Sequence, residues 1–464
     1  MKQRLIDLGR YYFQKLPITA RQKKKVQEHC FRHLPRFFAH LPSYQQWKLE
    51  NSTFCIEDMN LYDLEELRSQ TLLSDLFSYF DSSSPSILMI THSLGGGTEH
   101  HVKQLSEKLI AEGVNIVTLR SFGNEWIRLV PFNKEKEKGL IYHPKKDYES
   151  LVEQLKAFNI RLIHVHHLID MPKEFSETIQ NIATELAIPY DFTAHDYLSI
   201  CPRFTLYDQA VRGYCGEPDI KRCTGCVKSF GSAAGHDVDM VKWRSDYAAF
   251  LKEARHVYTP DMDVKTRLER YLPDSNIVNR PHWDEQKITP LPINRSTNKP
   301  LKVLTLGGIA PHKGSMILKE CAEDAKKRGL DLEFTLIGYS DIDWQLKKFM
   351  TVTGRYTQEG LPKLLEEGQY DMVFLPAIWP ETFNYTLSEI LHYGLYPVSF
   401  NLGAIGRRIY EMGYGSILDY NLYRDSSAIN DALLAIDLPN EVPVKKLKAA
   451  QISYSNLLND YYNL

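Results

Sequence analysis

Nowhere in these 464 residues does an apolar run approach the ~20 positions that a helix needs to cross a bilayer. The opening MKQRLIDLGRYYF also lacks the apolar stretch of a secretory signal. An excess of either charge is missing: 56 Lys and Arg face 58 Asp and Glu, a net −2, which excludes a generally basic nucleic-acid binder. With 43% hydrophobic and 25% charged residues, the composition is not that of a disordered or fibrous chain. No internal repeat and no low-complexity tract stands out. These absences leave a globular protein, expected in the cytoplasm and long enough for two domains with a core each. In that reducing setting, clustered thiols among the seven cysteines suggest metal more than disulfide.

The charge that is present sits unevenly. Residues 1–50 carry eleven basic side chains against three acidic ones, so this segment is +8 and the remainder −10. Mixed with Leu, Tyr and Phe, it fits three readings: attraction to anionic lipid on the inner face of a membrane, docking to another protein, or a solvated helical face.

Three regions can be separated by pattern. Residues 1–84 read as a basic helical extension broken by Pro17, Pro35 and Pro42, ending in the turn-rich DSSSPS at 81–86. Short apolar runs then alternate with amphipathic stretches. The runs at 87–90, 114–119, 161–165 and 256–259 read as buried parallel strands, and 99–112 and 173–187 as covering helices. A polar, proline-bearing linker at 286–300 leads to a second series, with strands at 301–306, 332–337, 371–376 and 396–400. Helices at about 314–328, 358–367 and 384–393 fit between them. The expectation is an α/β protein: two facing, Rossmann-like doubly wound domains over 85–290 and 291–440, and a C-terminal helix in 441–464 packing back on the first. Ligands belong in the cleft at the carboxyl ends of the strands.

Each domain opens with glycines after its first strand. Gly95-Gly96-Gly97 let the backbone approach a ligand closely, and the helix that follows offers free N–H groups to an anion. A merely tight strand-to-helix turn reads the same way, and the Gly-Lys-Ser/Thr ending of a P-loop is lacking. In the second domain Gly307-Gly308 lead to Lys313-Gly314, where lysine at a helix start suits a diphosphate or is an ordinary solvated side chain. The segment Trp379-Pro380-Glu381-Thr382-Phe383-Asn384-Tyr385 ends a strand and opens a helix, with Glu389 about two turns on. Carboxylates so placed can accept hydrogen bonds from vicinal sugar hydroxyls, or can simply favour a helix dipole and a wet surface.

Four blocks, SLGGGTEHHV (93–102), FTAHDYLSICPR (192–203), GGIAPHKG (307–314) and PETFNYTLSE (380–389), resemble the retaining GT-B glycosyltransferases of the family 4 type. The resemblance spans about residues 86–420 and leaves the first 84 outside. It implies transfer of a sugar from a nucleotide-sugar to a hydroxyl of a glycan or lipid-linked oligosaccharide, with retention, in bacterial surface polysaccharide assembly. By the same resemblance Glu381 contacts the sugar hydroxyls and Glu389 the ribose. Lys313 steadies the leaving diphosphate, Gly96 and Gly97 approach the donor phosphates, and His195 lies near the reacting carbon. Gly95, Thr382, Phe383 and Asn384 complete the expected donor site. No catalytic metal is expected, and Asp261-x-Asp263 and Asp341-x-Asp343 read as helix caps. One position departs: many relatives carry arginine where this chain has Gly308, so the donor phosphates must lean on Lys313, on helix N-termini, or on another cation such as Arg355, with Arg407 and Arg408 as further candidates. The alternative is a non-catalytic sugar- or nucleotide-binding subunit that assists a partner transferase.

Cys201, Cys215, Cys223 and Cys226 form C-x13-C-x7-C-x2-C in a loop poor in apolar pattern, which suits a structural zinc, free thiols or a loose disulfide. This loop is expected beside the acceptor side of the cleft. Cys30, Cys55 and Cys321 stand alone. His164, His166 and His167 end a strand and read chiefly as satisfied strand-end histidines.

Overall fold

The computed structural model describes residues 84–462 apart from 93–94, 123–124, 133–138, 286 and 293–299. The basic extension, save Ser84, and Cys30 and Cys55 lie outside these residues. Two large sheets organise the chain. The first is built from β1 (Ser86–Ile90), β2 (Asn115–Phe122), β3 (Trp126–Pro131), β4 (Leu140–Tyr142), β5 (Ile160–Val165), β6 (Tyr190–Thr193), β9 (His256–Thr259) and β10 (Ile277–Asn279). Their spatial order is β10-β9-β6-β5-β1-β2-β3-β4, parallel from β10 to β2 and antiparallel at the β2-β3-β4 edge. Helices on both faces explain why β1 is buried at every position: a parallel strand in the middle of such a sheet meets no water.

Strands β1, β2, β5 and β9 fall where apolar runs announce them. Strand β6 does not, because its sequence YDFT contains an acid. Asp191 is fully buried there, and Arg255 donates to both its carboxylate oxygens from 2.9 and 2.5 Å. A buried charge tolerated by a paired guanidinium hides the strand from a reading of periodicity. The β3-β4 hairpin also escapes it, since its runs are short.

The second sheet holds β11 (Leu301–Ile309), β12 (Leu332–Ser340), β13 (Thr351–Val352), β14 (Met372–Leu375), β15 (Pro397–Phe400) and β16 (Ser416–Leu418), in the order β13-β12-β11-β14-β15-β16 and wholly parallel. Helices Ser315–Arg328, Leu361–Gly368 and Tyr385–His392 lie between its strands. A small hairpin of β7 (Tyr207–Asp208) and β8 (Gly213–Tyr214) forms in the cysteine-bearing loop.

The last described segment crosses back to the first sheet. After the helix Val444–Ala449, Ile452 N donates to Asp284, and Glu112 accepts from Leu457 N and Leu458 N. Leu457, Tyr461 and Tyr462 then pack with Ile87, Met89 and Leu109, and the Tyr462 hydroxyl meets His164 Nδ1 at 2.7 Å. No helix among the described residues is long and apolar enough to cross a membrane.

Candidate active site

The expected site residues gather where the carboxyl ends of the two sheets face each other. From β1 the chain enters Gly95 and Gly96, whose φ values of 77° and 80° favour glycine, and then the helix Gly96–Ala111. Its N-cap, Gly95, makes no side-chain cap hydrogen bond to the first turn. The helix Ser315–Arg328 likewise starts without a side-chain cap, at Gly314 with φ 84°. A Cβ on Gly314 would stand 2.0 Å from the carbonyl oxygen of Pro376, so only glycine fits between β11 and β14 there.

Glu381 is the most firmly held member of the set. It is 5% exposed. Its Oε1 lies 3.4 Å from Lys313 Nζ and accepts from the Trp379 indole at 3.3 Å, and its Oε2 accepts from Asn384 Nδ2 at 2.8 Å. Asn384 does two jobs from a strained backbone, φ 71°: its Oδ1 also caps the helix Tyr385–His392 by accepting from Leu387 N at 2.7 Å. Behind the glutamate, Gly403 (φ 61°) packs so close that a Cβ would lie 2.8 Å from Glu381 N.

The two sheets touch through this loop. Thr382 Oγ1 donates to the carbonyl oxygen of His195 at 2.6 Å. Tyr385 lies against Gly97, where a Cβ would be 3.5 Å from its ring, and its ring centroid is 4.5 Å from that of His100. Thus Thr382, Gly97 and His195 meet at one seam. Phe383 is buried and packs on the guanidinium of Arg408 at 4.2 Å. Glu389 sits further along the helix and accepts from the Tyr356 hydroxyl at 3.3 Å, and burial raises its carboxyl above the usual range.

The cations named as substitutes for the arginine at Gly308 divide in two. Arg408 donates to the carbonyls of Phe383 and Asn384 at 3.0 and 3.2 Å and to Asp284 at 2.7 Å, so it holds the Glu381 loop in shape. Arg407 is bound to both oxygens of Asp261 at 2.7 Å. Asp261 also caps the helix Met262–Glu269 and Asp343 accepts from Ser340 N, so both Asp-x-Asp pairs serve local structure. Arg355 instead lies 4.1 Å over the ring of Tyr339. That same ring stands 3.1 Å from where a Cβ on Gly308 would be. The space in which a side chain at 308 would begin is therefore filled by Tyr339, with Arg355 carried on it.

The four loop cysteines come near one another, and burial pushes the Cys201 thiol up to about 12 and Cys215 up to about 11. No three of their sulfurs lie within 4.8 Å of one another. Cys223 Sγ accepts from Arg244 at 3.4 Å and Cys215 Sγ from Glu217 N at 3.4 Å. The hairpin beside them docks on the second domain, where Tyr214 N donates to the Tyr420 hydroxyl at 2.8 Å and Val211 accepts from Arg424 at 3.0 Å. Cys321 is buried in the core.

Sequence reading missed the neighbours of His195. His92, His101, His164, His166, His167 and His282 all lie around the ends of β1, β5 and β6, and all but His195 itself are buried. Burial and mutual repulsion lower six of these rings, His92 to about 4 and His101 to about 3, with His164, His166, His195 and His282 well below the usual value. The HHV of 100–102 and the HVHH of 164–167 were visible in sequence, but nothing there joins them to His195 and His282. His164 does bond at both nitrogens, to Tyr462 and Thr193, as a satisfied strand-end histidine should.

No family model matches the chain, and no curated protein is similar enough to match it. Solved structures do match. A sucrose-phosphate synthase from Thermosynechococcus elongatus is 16% identical with a TM-score of 0.50, over 81% of this chain and 95% of that one. A glycosyltransferase from Rickettsia africae ESF-5 is 16% identical with a TM-score of 0.51, over 79% and 93%. At such identity the likeness is one of fold: the chain has the GT-B fold of two facing Rossmann-like domains.

Proposed function

We propose that this chain is a glycosyltransferase, moving a sugar from a nucleotide-sugar to an acceptor hydroxyl with retention of configuration. The observation that carries the reading is Glu381, buried at the interdomain seam and fixed by Lys313, Asn384 and Trp379. Those three partners leave one of the carboxylate's about four acceptor positions, on Oε2, and vicinal hydroxyls of a sugar are donors of the right kind. One structure that shares the fold, from Rickettsia africae, bears the name of a glycosyltransferase, which agrees.

In this reading the diphosphate lies between the uncapped starts of the helices Gly96–Ala111 and Ser315–Arg328, where main-chain amides and Lys313 stabilise the charge of the leaving group. Arg355 on Tyr339 supplies the second cation in place of an arginine at Gly308. Glu381 holds the sugar, and Glu389 accepts from the ribose. The imidazole of His195 turns inward, toward His166, so its main chain is the part offered to the reacting carbon. The acceptor hydroxyl enters from the first domain and attacks on the leaving-group face, its proton passing to the departing phosphate oxygen. The acceptor class that suits the sequence blocks is a glycan or lipid-linked oligosaccharide of a bacterial surface polymer, with the basic residues 1–50 holding the enzyme at the inner membrane face.

The test is turnover of a nucleotide-sugar panel by the full chain, wild type beside Glu381→Gln. Loss of a hydrogen bond to a charged group, about 1.5–3 kcal/mol, corresponds to a fall of about 10- to 150-fold in kcat/KM. If no donor is bound, or the variant equals wild type, the reading fails. The glycine at 308 then favours the other one, a sugar- or nucleotide-binding subunit that assists a partner transferase.

A further inference from the structure

We infer that His101, His166 and His195 form a binding site for a divalent transition-metal ion, of the kind Zn2+ represents, beneath the cleft of the first domain. One ligand nitrogen from each of the three falls within 4.8 Å of the others. They come from three separate segments: the helix Gly96–Ala111, the end of β5 and the end of β6. His166 Nδ1 and His195 Nε2 are 3.1 Å apart. Two imidazole nitrogens on a tetrahedral ion, each at about 2.0–2.1 Å from it, stand about 3.3 Å apart. The pair is thus already at ligating separation, and the third ring needs to close by no more than about 1.5 Å to reach that spacing.

Two further observations point to something bound there. His101 is 3% exposed and its buried Nε2 has no hydrogen-bond partner. His282, 2% exposed, stacks on His101 with centroids 3.9 Å apart, and its Nδ1 is also buried and unpartnered. Orphaned polar atoms cost free energy in a dry interior, and rings crowded this closely share too few acceptors among themselves to avoid it. The tautomer of His166 fits as well. Its Nε2 faces Met89 Sδ at 3.4 Å, a group that only accepts, so Nε2 carries the proton and Nδ1 presents its lone pair to the cluster.

The donor set chooses the ion. Three imidazoles without a carboxylate or thiolate suit Zn2+ and its first-row neighbours and not Mg2+ or Ca2+, which want oxygen. Three protein ligands leave a fourth position, to be taken by water or by the neighbouring unpartnered imidazole of His282. An ion here ties together the three segments that carry Gly97, His167 and His195 to the cleft, and so fixes the floor of the site. It does not depend on which group the enzyme transfers, and the measurement below reads no turnover.

The experiment is X-ray absorption at the zinc edge on the full chain, stripped by chelator and reloaded with Zn2+ alone, as wild type and as Cys223→Ser/Cys226→Ser. The cysteine variant should keep about one ion per chain in a shell of nitrogen and oxygen at about 2.0–2.1 Å, without sulfur at about 2.3 Å. Adding His101→Gln and His166→Gln should abolish that ion. Ion binding should raise the melting temperature of the cysteine variant, because the metal binds only the folded chain. An ion held through sulfur alone in wild type, or none in the cysteine variant, overturns the proposal. Should the cysteine variant fail to fold, the wild-type nitrogen shell, lost on the histidine substitutions, decides.

Discussion

Glu389 shows what a binding group costs at the residue scale. Burial raises its carboxyl, so the folded state disfavours the ionised form that the unfolded chain adopts freely above about 4.5. The cost is absent below that value and appears as pH rises through the raised folded value. Glu389→Gln should therefore melt higher than wild type at pH 7, the difference shrinking as pH falls to 4.5. Thermal melts across that range check it. The same variant should bind its nucleotide donor about tenfold or more weakly, by titration, since a charged acceptor is lost. A buried acid that only packed the helix would show the gain in stability without the loss of affinity. Cysteine contrasts with this: the thiols of Cys201 and Cys215 are pushed up and remain protonated, so in the absence of an ion they behave as small apolar groups.

At the scale of elements, the helix starting at Gly403 (Gly403–Met412) buttresses the Glu381 loop from behind. Ala404 N donates to the Glu381 carbonyl at 2.9 Å, and Gly403 leaves no room for a side chain against Pro380. Gly403→Ala forces a left-handed backbone on a residue with a Cβ and pushes it into that loop. A loss of about 1–3 kcal/mol in unfolding free energy is expected, read from urea denaturation, with a larger fall in donor affinity than in helix content. Arg408 on the same helix should be more costly. It is an ion pair with Asp284 at 10% and 7% side-chain exposure, and Arg408→Ala leaves that carboxylate buried with its charge unanswered. The expected loss is about 3–5 kcal/mol, and Asp284→Asn on top of it should recover part of the stability.

For the molecule as a whole, the buried histidines set the acid limit. Unfolded, their imidazoles take up protons near 6.5. Folded, His92 resists until about 4, and half-buried His312 does the same. Between about 6.5 and 4 the unfolded chain binds more protons, so stability falls as pH falls. Each such group contributes a slope of up to about 1.4 kcal/mol per pH unit. Urea midpoints measured at pH 7, 6 and 5 should decline steeply, whereas a flat profile would mean that these rings titrate normally. The same scale explains the seam: Arg407 to Asp261 and Arg408 to Asp284 cross between the halves, and Thr382 to His195 closes them at the site.

Periodic apolar runs by themselves determined the two α/β series and most of their central strands, because a parallel strand covered on both faces must be continuously apolar. Glycine and lysine at the helix starts, with Glu381 and Glu389 after a strand, marked the loops on which the candidate site stands. They did so because turns and helix mouths restrict which residues fit. Tertiary structure alone decided three things. It showed that β6 accommodates Asp191, since the partner that neutralises it is 64 residues away in the chain. It assigned Arg408 to holding a loop and Arg355 to the face of Tyr339, because a cation's role depends on which partner reaches it. And it brought His101, His166, His195 and His282 together: histidines scattered over the sequence carry no spacing signal until the ends of neighbouring strands, folded side by side, bring their rings into contact.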